Sequence, residues 1–173
     1  MTKDRTALQP DTIDQLSPIG FRLGLEKNPN MTFWVTDCVL PGISTDGIRV
    51  ATGRHAAMVV PGDTLVFEDF SATFIVDEKM ANWQEIQQWL YALTSARTTR
   101  DYKNLRKEKP DGETSDIHLT ILTNKENAQI RVKFHDAFPI ALTPIQFDTK
   151  ATETDPIAAT VTFGFTTYTL ETL

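Results

Sequence analysis

The chain has 173 residues, a length suited to one domain with its own hydrophobic core, and its 40% hydrophobic and 23% charged content is ordinary for a globular protein. No apolar run approaches the roughly 20 residues that span a bilayer, and the one cysteine, Cys38, excludes both an intramolecular disulfide and a multi-cysteine metal site. A net charge of -6 with pI near 5.0 argues against a surface that grips nucleic acid throughout, though not against an acidic surface along which DNA passes.

The opening residues, MTKDRTALQPDTIDQL, form a polar arm over 1–18 with no apolar centre or small-residue cleavage site, so a secretory leader has no support and synthesis in a cytoplasm is expected. Phe21, Leu23 and Leu25 then alternate with Arg22 and Gly24, and Phe33, Val35 and Val39 alternate with Trp34, Thr36 and Cys38. Two strands joined as a hairpin across the turn-rich stretch from Glu26 to Asn30 are predicted. Cys38 on such a strand reads as a packed, inert thiol rather than a nucleophile. Pro41 lacks a backbone donor and Gly42 permits a turn, so the strand stops at Leu40 and the chain changes direction.

From Ser44 to Pro61 the residues are small and weakly amphipathic, a pattern that suits a projecting hairpin or partner-binding arm; Arg49, Arg54 and His55 are its contact candidates. In the stretch PGDTLVFEDFSATFIVDE, Gly62 and Asp63 read as a turn. Leu65 and Phe67 keep one parity and Phe70, Ala72, Phe74 and Val76 the other, so Glu68 and Asp69 mark a bulge or kink. Its five acids, Asp63, Glu68, Asp69, Asp77 and Glu78, could furnish carboxylate catalysis. No partner set is apparent, and turn, kink and helix approach account for each of them.

Asn82 followed by Glu85 has the capping-box spacing, and Trp83, Ile86, Leu90 and Leu93 recur at helical period with Trp89 alongside, predicting a helix over about 81–94. Trp83, Trp89 and Tyr91 read as core anchors before they read as stacking platforms for a base or sugar. A charged loop over 97–116 follows. Between Arg97 and Lys109, six basic residues meet two acids, a local +4 that leaves -10 for the remainder. This is either a solvated loop or a contact segment for an acidic neighbour, with Arg100, Lys103 and Arg106 as candidates.

Ile117, Leu119 and Ile121, and then Ile130, Val132 and Phe134 across Asn124 to Asn127, give the clearest hairpin signal. Ala137 to Ile140, with Pro139, and Pro144 are expected to interrupt the ladder, and Ile157 to Phe165 to form one long final strand. The three histidines, His55, His118 and His135, lack metal-pair spacing, with His118 and His135 on polar strand faces. A phosphate loop, a dinucleotide glycine pattern and a nucleophile elbow are all missing, and Ser71 lies mid-strand. No cofactor or metal is expected. The fold class is mainly β: an antiparallel β-sandwich or partly closed barrel of seven or eight strands with one flanking helix, in a single domain over 1–173.

The ordered features resemble the tail-tube proteins of contractile-tailed bacteriophages, including the T-even type and the related tube-initiating baseplate proteins. Carrying the resemblance are Leu40-Pro41-Gly42, Gly62-Asp63, Phe67-Glu68-Asp69-Phe70, Asp77-Glu78, the helix with Trp83 and Trp89, Phe134 to Ile140 with Pro139, Ile145 to Asp148, and Ala159 to Phe165. The resemblance implies a non-enzymatic structural protein of the virion, assembled in the host cytoplasm. Its copies would join edge to edge into hexameric rings that stack into a tube, with DNA passing through the lumen unbound. Implied partners are other copies of the chain, the tail sheath, and baseplate and terminator proteins. A tube initiator, a tail-completion ring and a type VI secretion tube are variants of this reading; a β-sandwich enzyme using the carboxylates of residues 63–78 is the alternative from another class.

Overall fold

The computed structural model describes residues 14–25, 27–51, 57–94, 112–148 and 156–173. The predicted hairpin is its centre: β6 (Ser115–Leu122) and β7 (Ala128–Leu142) pair antiparallel with Ile117 opposite Phe134, Leu119 opposite Val132 and Ile121 opposite Ile130. The turn closes through Glu126 N–H to Thr123 C=O at 2.8 Å, with Glu126 at φ 60°. β1 (Phe21–Leu25) adds to the free edge of β6, and β9 (Thr167–Thr172) to that of β7. These strands form a front sheet in the order β1-β6-β7-β9.

β7 does not end at Ala137. It passes through Asp136, at φ 56°, and continues into a back sheet, where it pairs with β8 (Ala158–Gly164). β8 pairs with β5 (Phe70–Ile75), and β5 with β2 (Val35–Val39). The expected interruption at Pro139 is therefore a register shift within one strand of 15 residues. Proline is tolerated there because this half of β7 is an edge of the back sheet and the shift removes the need for its missing donor.

Both sheets alternate inward apolar and outward polar side chains, and the inner faces meet in one core that includes Phe70, Phe74, Phe134, Val161 and Phe163, all fully buried. The rings of Phe70 and Phe134 cross between sheets at 4.7 Å. Each such side chain contributes about 1.5–3 kcal/mol by leaving water. The predicted helix, α2 (Ala81–Thr94), adds Ile86 and Trp89 to this core. Trp89 lies 6.2 Å from Phe163, donates its Nε1–H to the Glu113 carbonyl at 3.0 Å and carries the Lys27 ammonium over its ring at 4.6 Å. Trp83 reaches the Thr143 carbonyl with its Nε1–H at 3.5 Å.

Several sequence expectations give way. The hairpin of 21–25 with 33–39 does not form, since β1 belongs to the front sheet and β2 to the back. The link between them makes a short helix, α1 (Pro29–Phe33), which starts on Pro29 and buries Met31 completely. Proline suits a first helical turn, whose N–H groups have no partner in any case. Asn82 is not an N-cap: α2 already begins at Ala81, and Gln84 N–H reaches the Met80 carbonyl at 2.9 Å. Asn82 is fully buried; it donates to the Ile75 carbonyl at 2.8 Å and accepts from Trp83 N–H at 2.8 Å, tying the helix to β5.

Gly62 and Asp63 lie inside β4 (Met58–Phe67) rather than in a turn. The long final strand breaks after Gly164, and Thr166 N–H to the His135 carbonyl at 3.0 Å turns the chain into β9. The sheets form a sandwich and not a closed barrel, with nine strands among the described residues instead of seven or eight. Ser115 and Asp116, expected at the end of the charged loop, already belong to β6. No described helix is long and apolar enough to cross a membrane.

Candidate assembly surface

The projecting hairpin expected near Ser44 to Pro61 exists and is longer: β3 (Ile43–Val50) pairs with β4 (Met58–Phe67) as a separate two-stranded sheet. All eight residues of β3 are exposed. Its outer half sets Val50 opposite Met58 and Ile48 opposite Val60, while Arg49 lies opposite Val59, which is 63% exposed. Nearer the sandwich, Ile43, Leu65 and Val66 are exposed as well. Apolar side chains in water on a ribbon with both edges free mark a surface awaiting a partner.

Two glycines shape this arm. At Gly62, beside the register shift between Thr45 and Gly47, an added Cβ would sit 2.1 Å from the Asp46 carbonyl oxygen, so the two backbones approach more closely than any side chain allows. At Gly42, the root of the arm is clamped: Glu68 N–H donates to the Gly42 carbonyl at 3.1 Å and Gly42 N–H donates to Glu68 Oε2 at 3.3 Å. Pro41 is buried beside it. The Leu-Pro-Gly and Glu-Asp signatures thus meet where the chain leaves the back sheet for the arm and returns. Glu68 and Asp69 separate β4 from β5, a change of sheet rather than a bulge within one strand. Phe67, just before the joint, packs on Phe165 and Tyr168 at 5.8 and 5.5 Å.

Asp63 is exposed within β4, Asp69 is exposed at the joint, and Asp77 and Glu78 precede α2. Among the described residues, no group of three or more His, Cys, Asp or Glu is placed to hold a metal ion. Burial, with the neighbouring Asp37 charge, pushes the Cys38 thiol up to about 11, so it stays protonated and unreactive near neutrality. His118 and His135 lie on the front-sheet outer face, and His135 shares a hydrogen bond with Thr169 at 3.2 Å. Of the contact candidates, Arg49 is exposed on the arm, while Arg54, His55, Arg100, Lys103 and Arg106 lie outside the described residues.

The back sheet presents a second surface that single-strand reading missed. Its free edges are β2 and the second half of β7, at opposite ends of the order β2-β5-β8-β7. Each edge carries exposed apolar groups: Phe33 (80% exposed), Trp34, Val39 and Leu40 by β2, and Phe138 and Ile140 on β7. Phe33 and Trp34 meet edge to face at 5.2 Å. Between the edges the outer face is lined by Ser71, Thr73, Thr160 and Thr162, with Ser71 opposite Thr162 and the Thr73 and Thr160 hydroxyls bonded at 3.0 Å. The signal was present in the sequence as hydroxyl residues alternating with core residues, but only the pairing of strands distant in the chain gathers them onto one wall.

A family model described as phage tail tube protein matches residues 7–171. Among solved structures, the tube-terminating cap of the anti-feeding prophage is similar over 98% of this chain and 99% of that one, with 17% identity and TM-score 0.62. A chain in the sheath–tube complex of the extracellular contractile injection system PVC, in its extended state, is similar over 92% of this chain and 93% of that one, with 13% identity and TM-score 0.57. The sheath/tube terminator of that system is similar over 92% and 99%, with 18% identity and TM-score 0.57. At these identities the likeness is one of fold. Comparison with curated protein sequences returns no match.

Proposed function

The chain belongs to the phage tail tube protein family and is a tail-associated structural protein, and from that premise we propose that its copies close into hexameric rings that stack as the inner tube of a contractile tail. The observation that carries this reading is the arm: a ribbon with one wholly exposed strand and apolar side chains on both strands, joined to the sandwich through the Gly42–Glu68 clamp. In a lone molecule such a ribbon is marginal, and a neighbouring ring would cover it.

Ring closure follows from the back sheet. Joining β2 of one copy to the β7 edge of the next is a heterologous contact, which closes when the rotation between copies divides a full turn. It covers Val39, Leu40, Phe138 and Ile140 and continues the hydroxyl wall from copy to copy. That wall would face the lumen. Its hydroxyls carry no charge, and Asp37, opposite Thr73, is acidic, so DNA meets nothing that holds a phosphate during ejection. The sheath would surround the tube, and baseplate and terminator proteins would occupy its ends.

Size-exclusion chromatography with negative-stain imaging tests this. Rings, and long tubes at high concentration or with baseplate partners, are expected; protein that stays monomeric under every condition overturns the reading. A tube initiator or tail-completion ring of the same fold would stop at single rings in the same experiment. A type VI secretion tube would assemble alike, so the accompanying sheath separates it. The carboxylate-enzyme reading is disfavoured because Glu68 is engaged with Gly42, Asp63 lies mid-strand in β4, and Asp77 and Glu78 stand apart from both, ahead of α2. Glu68→Gln with Asp69→Asn is expected to disturb assembly.

A further inference from the structure

The outer face of the front sheet differs sharply from the hydroxyl wall. One row across its strands reads Arg22, Thr120, Arg131 and Glu171; the next reads Gly24, His118, Lys133 and Thr169. Because Gly24 has no side chain, the face opens there into a shallow groove of about 250 Å³ lined by Arg22, Leu23, Gly24, His118, Thr120 and Arg131. A Cβ on Gly24 would meet only ordinary contacts, at 3.7 Å to the His118 carbonyl oxygen, so a side chain fits the space and its absence keeps the groove open.

The charges around the groove are unevenly used. Lys133 is paired with Asp116 at 3.1 Å, and His135 is bonded to Thr169. Among the described residues neither Arg22 nor Arg131 has a hydrogen-bond or ion-pair partner, although Glu171 is the register neighbour of Arg131. His118 Nδ1 is buried with no partner. Two free guanidinium forks therefore flank a threonine hydroxyl, with their Cα atoms about 10 Å apart by the spacing of strands. A planar fork matches a carboxylate in two parallel hydrogen bonds.

We propose that this groove binds an acidic segment of the protein that surrounds the tube, its carboxylates paired with Arg22 and Arg131. The placement rests on the tube reading: if the back sheet lines the channel, the front-sheet outer face points away from it, toward whatever encloses the tube. Charge favours a short acidic polypeptide over nucleic acid. Asp116 and Glu171 punctuate the face and the chain as a whole carries -6, conditions that admit two carboxylates but repel a continuous phosphate backbone.

Two measurements test the groove. In the first, a hexaglutamate peptide is titrated into the wild-type protein, an Arg22→Gln/Arg131→Gln variant and a Gly24→Val variant at low and moderate salt. The wild type binds, binding weakens with salt, and both variants bind at least about tenfold more weakly. In the second, purified sheath subunit is co-sedimented with assembled tubes. The double-arginine variant forms tubes indistinguishable in negative stain yet carries down at least about tenfold less sheath. Equal peptide affinity in the variants, undiminished sheath binding, tighter binding of a DNA duplex than of the peptide, or loss of tubes in the double variant each overturns the proposal. If the wild type forms no rings the tube reading falls, and the peptide titration still decides whether the groove recognises carboxylates.

Discussion

Asn82 does more for this fold than its polarity suggests. Fully buried, it serves the Ile75 carbonyl and the Trp83 N–H at 2.8 Å each, and Asn82→Ala would leave both without that partner at a cost of about 1–3 kcal/mol. Urea unfolding should show a lower midpoint with an unchanged slope; an unchanged midpoint would mean the tie is idle. The sequence signalled a special residue here but misassigned its part. Asn82 and Glu85 have capping-box spacing, yet Glu85 turns to the Asn30 side chain, an element over 50 positions away. Asp116 is a second staple, at the bend of β7. Partial burial works to raise its carboxyl, but the hydrogen bonds from Lys133 and the Asp136 N–H, with the charges of Lys133 and His135, hold it below the ordinary carboxylate range. A depressed folded-state value means that the stabilisation is fully present above the unfolded value and is lost as pH falls through the folded one. Asp116→Asn should therefore cost about 0.2–1 kcal/mol near neutrality, the range of exposed ion pairs. Thermal melts of the two proteins should converge in strong acid, and a gap that persists there would contradict this account.

At the scale of elements, what the sequence revealed depended on how far away the partner lay. β6 and β7 were legible because each alternates apolar residues with period two and the turn between them is short. β1 and β2 were equally legible as strands, but their partners stand far along the chain, and the proline-containing link that suggested a hairpin instead folded over buried Met31. The arm was foreseen from its small residues, but the reason for Gly62 was not: the close approach of Asp46 exists only once the register is set. Gly62→Ala must push the Asp46 carbonyl aside and break the pairing at the shift. Because β3 is wholly exposed, the sandwich should keep its melting temperature to within about 2 °C, less than 1 kcal/mol for a domain of this size. Negative stain should nonetheless show few or no stacked rings. A variant that stacks like the wild type would separate the arm from ring-to-ring contact.

The whole molecule has two faces of opposite character on one core. Outward from the front sheet stand Arg22, Arg131, Lys133 and two histidines; outward from the middle of the back sheet stand Ser71, Thr73, Thr160 and Thr162. A channel for DNA requires the second kind of wall, because each fixed cation along it would capture a phosphate and release a counterion, with an affinity that grows with the number of contacts. On the proposed tube reading, the hydroxyls would be a requirement of passage and not merely tolerated surface. Thr73 and Thr160 are partly buried neighbours on adjacent strands, away from either free edge, so replacing both with lysine keeps the apolar groups at the proposed ring contact intact. The Thr73→Lys/Thr160→Lys protein should still assemble, since long lysine side chains on a lumen wall can extend into water. Its tubes should retain short duplex DNA at low salt and release it as salt rises, while wild-type tubes retain none under either condition. The same substitutions on a face turned outward would expose the lysines on the tube's exterior, where branched or bundled DNA too wide for the channel would bind as readily as a single duplex. Retention confined to DNA thin enough to enter assigns the hydroxyl wall to the lumen; retention of wide and narrow nucleic acid alike would reverse the orientation of the two sheets.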